Sequence, residues 1–482
     1  MSIPVTPTPA PRFGRAGALL LVVIMTVTGC YAVQRQGAVP ERPDRPSDPI
    51  GGRAIVDGGD LVMGLSAEPD KLDPTTSSSL YTRYVMNSIC EKLYDIDAAG
   101  KLVPQLATAL PKVSDGGRTV TIPVRDDVRF ADDTPFDAEA VRTSLERHLT
   151  KKDSSRKSEL GPIADIAAPR KDEVVITYKS PFAPLAAALA DRAGMIMSPT
   201  ALTELGDDFA TRPTCVGPFK FVSRVPQTSI TVAKDPLYYA ADQVHLSTIT
   251  YRIMSDANIR AANLRSGDIQ VADSISTQDV DALQQERGIG VLQTGSLGYQ
   301  AMTINLGNVD GAGSDPKPID TPLASDPRVR QALAVGIDRN GLVNSVFNNW
   351  YEPACSPISP DSVYASKASD GCVPYDPARA RDLLAQAGVP VPFPITVKTS
   401  NTAESLRFAA ALQAAVQPAG FALTIEPVEY STLLDEQTSG DFAALLLGWS
   451  GRIDPHGNMN SFLTTGGANN YSGYGNDLVD RG

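Results

Sequence analysis

Histidine is almost missing from this sequence. Its 482 residues hold three, at positions 148, 245 and 456, too few for most general-base or metal-ligand sets. Cysteine is scarce as well. There are five, with no CxxC pair and no Cys/His spacing of the kind that holds zinc. A phosphate-cradling Walker A loop, a GxGxxG turn and an HExxH helix are absent. Gly448-Trp449-Ser450-Gly451 lacks the spacing of a nucleophile elbow, and nothing singles out the carboxylate pair of a glycosidase. No long basic run occurs and the formal net charge is −12. That excludes a nucleic-acid partner, which needs clustered Lys and Arg. Together these absences argue against an enzyme and imply neither a metal nor a cofactor.

What is present is an ordinary globular composition, 42% hydrophobic and 20% charged, in a chain long enough for two to four domains. Arg12 and Arg15 precede a twelve-residue apolar stretch, Ala16 to Val27. A membrane span needs about 20 residues, so this stretch fits the hydrophobic core of a secretory signal. It ends in Val27-Thr28-Gly29-Cys30, similar to a bacterial lipobox, which makes Cys30 the lipidated first residue of the mature chain. The plainer alternative is a signal peptide with an incidental cysteine. Losing residues 1–29 removes two arginines and no acids, so −12 becomes −14. Residues 30–58, rich in Pro, Gly and charge, read as a flexible tether. The expected location is outside the cell, lipid-anchored on the outer face of the cytoplasmic membrane.

Four cysteines then remain, an even number that suits disulfides in an exported protein. Cys355 and Cys372 flank a Pro/Ser/Asp-rich loop and are the first choice for a local bridge. Cys90 and Cys215 are left as the second pair, with buried free thiols as the alternative.

The body alternates strands and helices. Asp60 to Ser66 reads as a strand and Tyr84 to Leu93 as a helix. Arg118 to Val124 and Glu173 to Tyr178 are strands by alternation. Asp137 caps a helix that carries Val141, Leu145 and Leu149 on one face, with His148 placed on its surface. The last third is the most regular. Strands at Pro394 to Thr399, Gly420 to Val428 and Phe442 to Trp449 alternate with helices at Glu404 to Gln417 and Ser431 to Gln437. That order calls for a parallel sheet with right-handed crossovers. Ligands of such sheets sit beyond the carboxyl ends of the strands, which is where Trp449 to Asn458 falls.

The binding chemistry gathers there. Trp449 offers a flat face and Arg452 a bidentate fork for a carboxylate. Gly448 and Ser450 flank the tryptophan. Asn469, Asn470 and Tyr471 offer amide and phenol groups for peptide-like pairing. Ser77, Ser78 and Ser79 form a hydroxyl run after the first strand. Each has a structural alternative: Trp449 as core, Arg452 paired with Asp454, the Asn and Ser runs as loop chemistry. His456 reads as a polar loop residue or a minor contact with ligand, not as a base.

Several stretches together resemble one family. Gln105-Leu106-Ala107, the strand Thr119 to Val124 and Val128-Arg129-Phe130-Ala131-Asp132-Asp133-Thr134-Pro135-Phe136 follow its N-terminal signature. Val216-Gly217-Pro218-Phe219 is similar to its "GTGPY" turn, and Arg265-Ser266-Gly267-Asp268-Ile269 to its "GEiD". Asp326 to Leu333 with Ile337-Asp338-Arg339 resembles its "D.RVRqAl..aiDR" helix. Gly448-Trp449 and Asp454-Pro455 resemble its "GW…DP". The chain is identified as a member of the peptide-type (family 5) extracellular solute-binding proteins of bacterial ABC importers. The resemblance implies an α/β, two-lobed periplasmic-binding-protein type II-like fold with an extra subdomain. Residues 59–93 and 210–305 form lobe one, 94–209 the inserted subdomain and 306–482 lobe two, with a hinge near Ile304-Asn305. It also implies delivery of a small peptide or peptide-like ligand to ABC importer permease subunits, without catalysis.

Two departures stand out. In oligopeptide and dipeptide binders the third residue after the tryptophan is an aspartate that pairs with the ligand's amine. Here it is Arg452, which inverts the anchor's charge unless Asp454 takes the role. The family also holds binders of nickel chelates, oligosaccharides, glutathione and haem, so a non-peptide solute is the alternative, as is a sensory lipoprotein on the same scaffold. The chain stops at Gly475 to Gly482 in what reads as a capped helix cut off in its first turn. Either a C-terminal segment is missing, which is the expectation, or the lobe is completed differently.

Overall fold

The computed structural model describes residues 54–481 apart from residues 368 and 370. The expected signal segment, Cys30 and the expected tether up to residue 53 lie outside the described residues. Among the described residues no helix is long and apolar enough to cross a membrane.

Strand β1 (Asp60–Leu65) leads through Ser79 into helix α1 (Leu80–Ile89). The sequence periodicity places this helix at Tyr84 to Leu93. The helix starts earlier because the Ser79 Oγ accepts the Tyr81 N–H at 3.0 Å. It stops earlier because Cys90 is extended and disulfide-bonded to Cys215, and the next residue, Glu91, donates its N–H to the Val216 carbonyl at 2.7 Å. No Gly or Pro marks that stop, so periodicity alone runs through it. A second disulfide joins Cys355 to Cys372.

A short hairpin, β2 (Tyr94–Ile96) with β3 (Leu102–Pro104), precedes an antiparallel sheet. That sheet is built from β4 (Lys112–Ser114), β5 (Thr119–Pro123), β6 (Ile163–Arg170) and β7 (Glu173–Tyr178), in the order β4-β5-β7-β6. Val120 and Ile122 of β5 and Val174 and Ile176 of β7 face one core with Phe130 and Phe136. Helix α2 (Ala138–Thr150) covers that core. Asp137 accepts the N–H groups of Glu139 and Ala140, which satisfies two of the helix's free donors. His148 follows Val141 and Leu145 at helical spacing and is fully buried. The surface placement expected for it is thus corrected: its ring shares the apolar stripe and is held by a 2.9 Å bond to the Thr75 hydroxyl.

A five-stranded sheet follows, ordered β11-β1-β10-β9-β8 from β8 (Phe219–Val225), β9 (Ser229–Lys234), β10 (Thr248–Ile253) and β11 (Val271–Ala272). Ile230 and Val232 on β9 and Ile249 and Tyr251 on β10 alternate inward, the period-2 pattern of a half-buried sheet.

The last sheet carries the site. It comprises β12 (Tyr299–Ile304), β13 (Phe393–Ser400), β14 (Phe421–Val428) and β15 (Ala444–Trp449), in the order β12-β15-β13-β14. β13 runs parallel to both β14 and β15, as the β-α-β-α-β order requires. β12 joins antiparallel, with Tyr299 opposite Trp449. Helix α3 (Pro327–Gly336) is capped by Asp326 and buries Val329 and Leu333. Helix α4 (Ala403–Val416) follows β13, and its approach to β14 closes through Gly420 at φ +89°, a conformation that suits glycine. Helix α5 (Tyr430–Ser439) leads into β15.

Candidate ligand-binding site

β15 ends in Gly448-Trp449, and the chain turns there. Gly451 sits at φ +76°, and a Cβ on it would collide with the backbone of Leu297. Only glycine lets the loop pass that close. Asp454 then caps helix α6 (Pro455–Leu463) by accepting the His456 N–H at 2.9 Å. Asn458, buried in this helix, clamps the loop. Its Oδ1 accepts Trp449 Nε1–H at 2.9 Å and the Arg452 N–H at 2.7 Å, and its Nδ2 donates to the Arg452 carbonyl at 2.8 Å. The clamp sets Trp449 and Arg452 against each other, with the guanidinium 4.3 Å from the indole centroid. A cation over an indole face is attracted by the ring quadrupole.

Arg452 does not pair with Asp454. Its Nη2 lies 3.1 Å from Glu159 Oε1 and its Nε 3.2 Å from Asp191 Oδ2. Arg83 of α1 grips Asp191 with two bonds of 2.9 and 2.7 Å and donates to Ser450 Oγ at 3.1 Å. Arg156 bonds Glu159 at 2.7 Å and the Ser77 carbonyl at 3.0 Å. Arg192 donates to the carbonyls of Ser77 and Ser79 at 3.3 and 3.0 Å. The post-β15 loop therefore meets α1, the serine run and the segments around residues 159 and 191 in one cluster.

Burial and charge act against each other there. Burial pushes the Asp191 carboxyl up, but Arg83, Arg452 and Arg192 outweigh it and hold it well below its ordinary value. Burial likewise raises Glu159, and Arg156 and Arg452 bring it below the usual range. Burial and then the Arg156 charge lower Arg192 to about 9, a large departure for a guanidinium. Burial raises the Tyr471 phenol to about 12. The groups are thus arranged to hold charge, not to pass protons at neutral pH.

The expected site residues divide. Trp449, Ser450 and Arg452 come together with the carbonyls of Ser77 and Ser79, and Tyr471 stands close enough for Arg156, Arg192 and Arg452 to act on its phenol. Trp449 and Tyr471 each meet the Phe462 ring edge-on. Gly448 lies under the Gln300 side chain. The others make contacts nearer their own segments. Ser78 takes a bond to Asp70 through its N–H and faces the Ser155 hydroxyl. Asp454 is a cap. Asn469 accepts the Tyr471 hydroxyl at 3.1 Å, and Asn470 ties its loop through Thr464 and Tyr474. The ring of His456 packs edge-on to Phe182 at 5.2 Å.

Sequence reading missed Arg83, Arg156, Glu159, Asp191, Arg192 and Asn458. One signal was available: Asp191-Arg192 interrupts an otherwise apolar stretch, Pro184 to Gly194, and charges there are buried only when paired. A separate open depression of about 580 Å³ is lined by Lys398, Glu426 and Asp441 to Ala443. It flanks the start of β15, about 20 Å along the strand from Trp449 at 3.3 Å per residue, and shares no residue with the cluster. Among the described residues, no group of three or more His, Cys, Asp or Glu could hold a metal.

The chain is 30% identical over 343 residues to the glutathione-binding protein GsiB of Pectobacterium atrosepticum, covering 71% of this chain. The chain spans 64% of the length of such curated relatives. AgaA from A. tumefaciens R10, solved with agropinic acid, superposes with a TM-score of 0.78 at 26% identity, over 88% of this chain and 85% of AgaA. The murein tripeptide binding protein MppA of Escherichia coli gives 0.78 at 21% identity, over 89% and 86%, which shows a shared two-lobed fold. A family model described as bacterial extracellular solute-binding proteins, family 5 Middle, matches residues 101–470. By this match and by fold, the chain belongs to the family 5 extracellular solute-binding proteins, a family of binding proteins and not of enzymes.

Proposed function

We propose that this chain is the ligand-capture lipoprotein of an ABC importer. It binds a peptide or peptide-like solute in a cleft between two lobes and presents it to membrane permease subunits. Residues 59–93 with 210–305 make lobe one, 94–209 the inserted subdomain and 306–482 lobe two, with the hinge near Ile304-Asn305. Lipidation of Cys30 holds the globule at the outer face of the membrane. The observation that carries this reading is the convergence of Ser450 and Arg452, the latter stacked on Trp449, on Arg83, Glu159 and Asp191. Contacts across so many segments form when lobes close and break when they part, which is what ligand-driven closure needs. Relatives point the same way: GsiB is named for glutathione, MppA for a murein tripeptide, and AgaA was solved with agropinic acid.

The test is to purify the chain under native conditions, denature it and identify released small molecules by mass spectrometry. A stoichiometric peptide-like solute supports the reading. A chain that releases nothing, and that no peptide-like solute stabilises by mass action, contradicts it. Replacement of Cys30 by Ser releases the protein from the membrane fraction if the anchor is as proposed.

A further inference from the structure

Four guanidinium groups, on Arg83, Arg156, Arg192 and Arg452, meet only two carboxylates, Asp191 and Glu159, in the cluster. The electrostatic influences on Arg192, Arg452 and Glu159 come chiefly from other members of the six. The cluster therefore carries a formal charge of two positive units away from water. The neighbouring Asp73–Arg147 pair is balanced, and Asp70, which accepts the Ser78 and Ser79 N–H groups beside Arg192, is a further carboxylate nearby that lowers the local excess to one positive unit. Excess charge in a low-dielectric interior is costly unless something opposite neutralises it.

Unpaired polar atoms gather at one place in the cluster. Arg156 and Arg192 are 2% and 1% exposed and Ser77 is 0% exposed. The two guanidiniums share the Ser77 carbonyl as acceptor, so the three residues are mutual neighbours. Each nonetheless has a polar atom with no protein partner: Arg156 Nε, Arg192 Nε and Ser77 Oγ. Next to them, Ser158 Oγ and Glu159 Oε2 are also unpartnered. Native interiors leave few polar groups unpaired, and a cluster of five asks for an explanation. Four of the five are able to donate and one accepts.

We propose that Ser77, Arg156 and Arg192 form the anion-holding end of the cleft, selecting an acidic solute of net charge −1 to −2 whose carboxylate lies beside a hydrogen-bond donor. The carboxylate takes the Arg156, Arg192 and Ser77 donors, and the adjacent amino or hydroxyl group donates to Glu159. Arg452 arrives with the other lobe and adds a positive charge that the bound anion offsets, so an acidic solute favours closure. This rests on the capture reading above and deepens it by naming the class of solute.

The test is thermal-shift titration of the full chain, stripped of copurifying solute, at matched ionic strength. The probes are Glu-Ala-Glu, Ala-Ala-Ala, Lys-Ala-Lys, L-glutamate and glutarate. Acidic probes with an amino group should stabilise most, glutarate less, and the neutral and basic tripeptides least. Arg192→Gln should weaken the acidic probes about tenfold to a hundredfold, and the milder Ser77→Ala, which removes one hydroxyl, about threefold to tenfold. Preference for Ala-Ala-Ala or Lys-Ala-Lys overturns the proposal, as does an unchanged acidic preference in folded Ser77→Ala and Arg192→Gln. If no probe stabilises while a neutral or basic solute still copurifies, the acidic class falls and capture stands. If neither binding nor a copurifying solute is found, capture falls with it.

Discussion

Arg452 and Glu159 stand 293 positions apart in the chain, yet a guanidinium nitrogen of one lies 3.1 Å from a carboxylate oxygen of the other. Both side chains are about nine-tenths buried. A pair so placed is expensive to break, because removing one partner strands the other's charge.

Arg452→Ala should therefore destabilise the protein by about 3–5 kcal/mol, read as a lowered denaturation midpoint in urea. Asp454→Ala, which removes only the cap of α6, should cost about 1 kcal/mol. A larger loss for Asp454→Ala would mean that the anchor had been assigned to the wrong member of the Arg452–Asp454 stretch.

Asn458 holds both Trp449 and Arg452 through three hydrogen bonds. Asn458→Ala should free the indole, shifting Trp449 emission to the red in a Trp350→Phe background and weakening ligand binding. Unchanged emission would show that the loop keeps its shape without the clamp.

His148 gives a pH dependence. Burial, with the Arg156 charge second, lowers its folded pKa to about 3 from an ordinary 6.5. The unfolded chain therefore binds a proton that the folded chain refuses. His148 contributes stability that is fully present above pH 6.5 and lost as the pH falls towards 3, by up to about 1.4 kcal/mol per pH unit. Denaturation midpoints between pH 7 and 4 should fall more steeply for the native chain than for His148→Gln; parallel curves would contradict this.

The two disulfides should differ in worth. Cys90–Cys215 closes 125 residues and Cys355–Cys372 closes 17. Loop-closure entropy then puts the first at about 5 and the second at about 3 kcal/mol. Paired serine replacements compared by thermal denaturation check the order, and equal losses would show that chain entropy does not govern them.

Much of the scaffold could be read from pattern. The β13 to β15 segment has strand-helix alternation with apolar strands, and parallel pairing follows from that order alone. The loop after Trp449 was placed by the same topology. The partners of Arg452 were not legible. Glu159 sits in a short turn and Asp191 before another, neither with periodicity, and both reach the loop from distant sequence. Sequence spacing left Asp454 open as an alternative partner of Arg452, but an Asp before Pro455 is better used as a helix cap. His148 was misplaced because its polarity was weighed above its position three residues after Leu145 on a buried stripe.

The central claim is that a small solute draws two lobes together around the Arg452 cluster. Small-angle X-ray scattering tests it most directly, on the chain stripped of solute and then given back what the native protein released. The account predicts a radius of gyration that falls to a plateau at one equivalent of solute, with the fall abolished in Arg452→Ala. A radius of gyration indifferent to added solute, while that solute still binds, would contradict it.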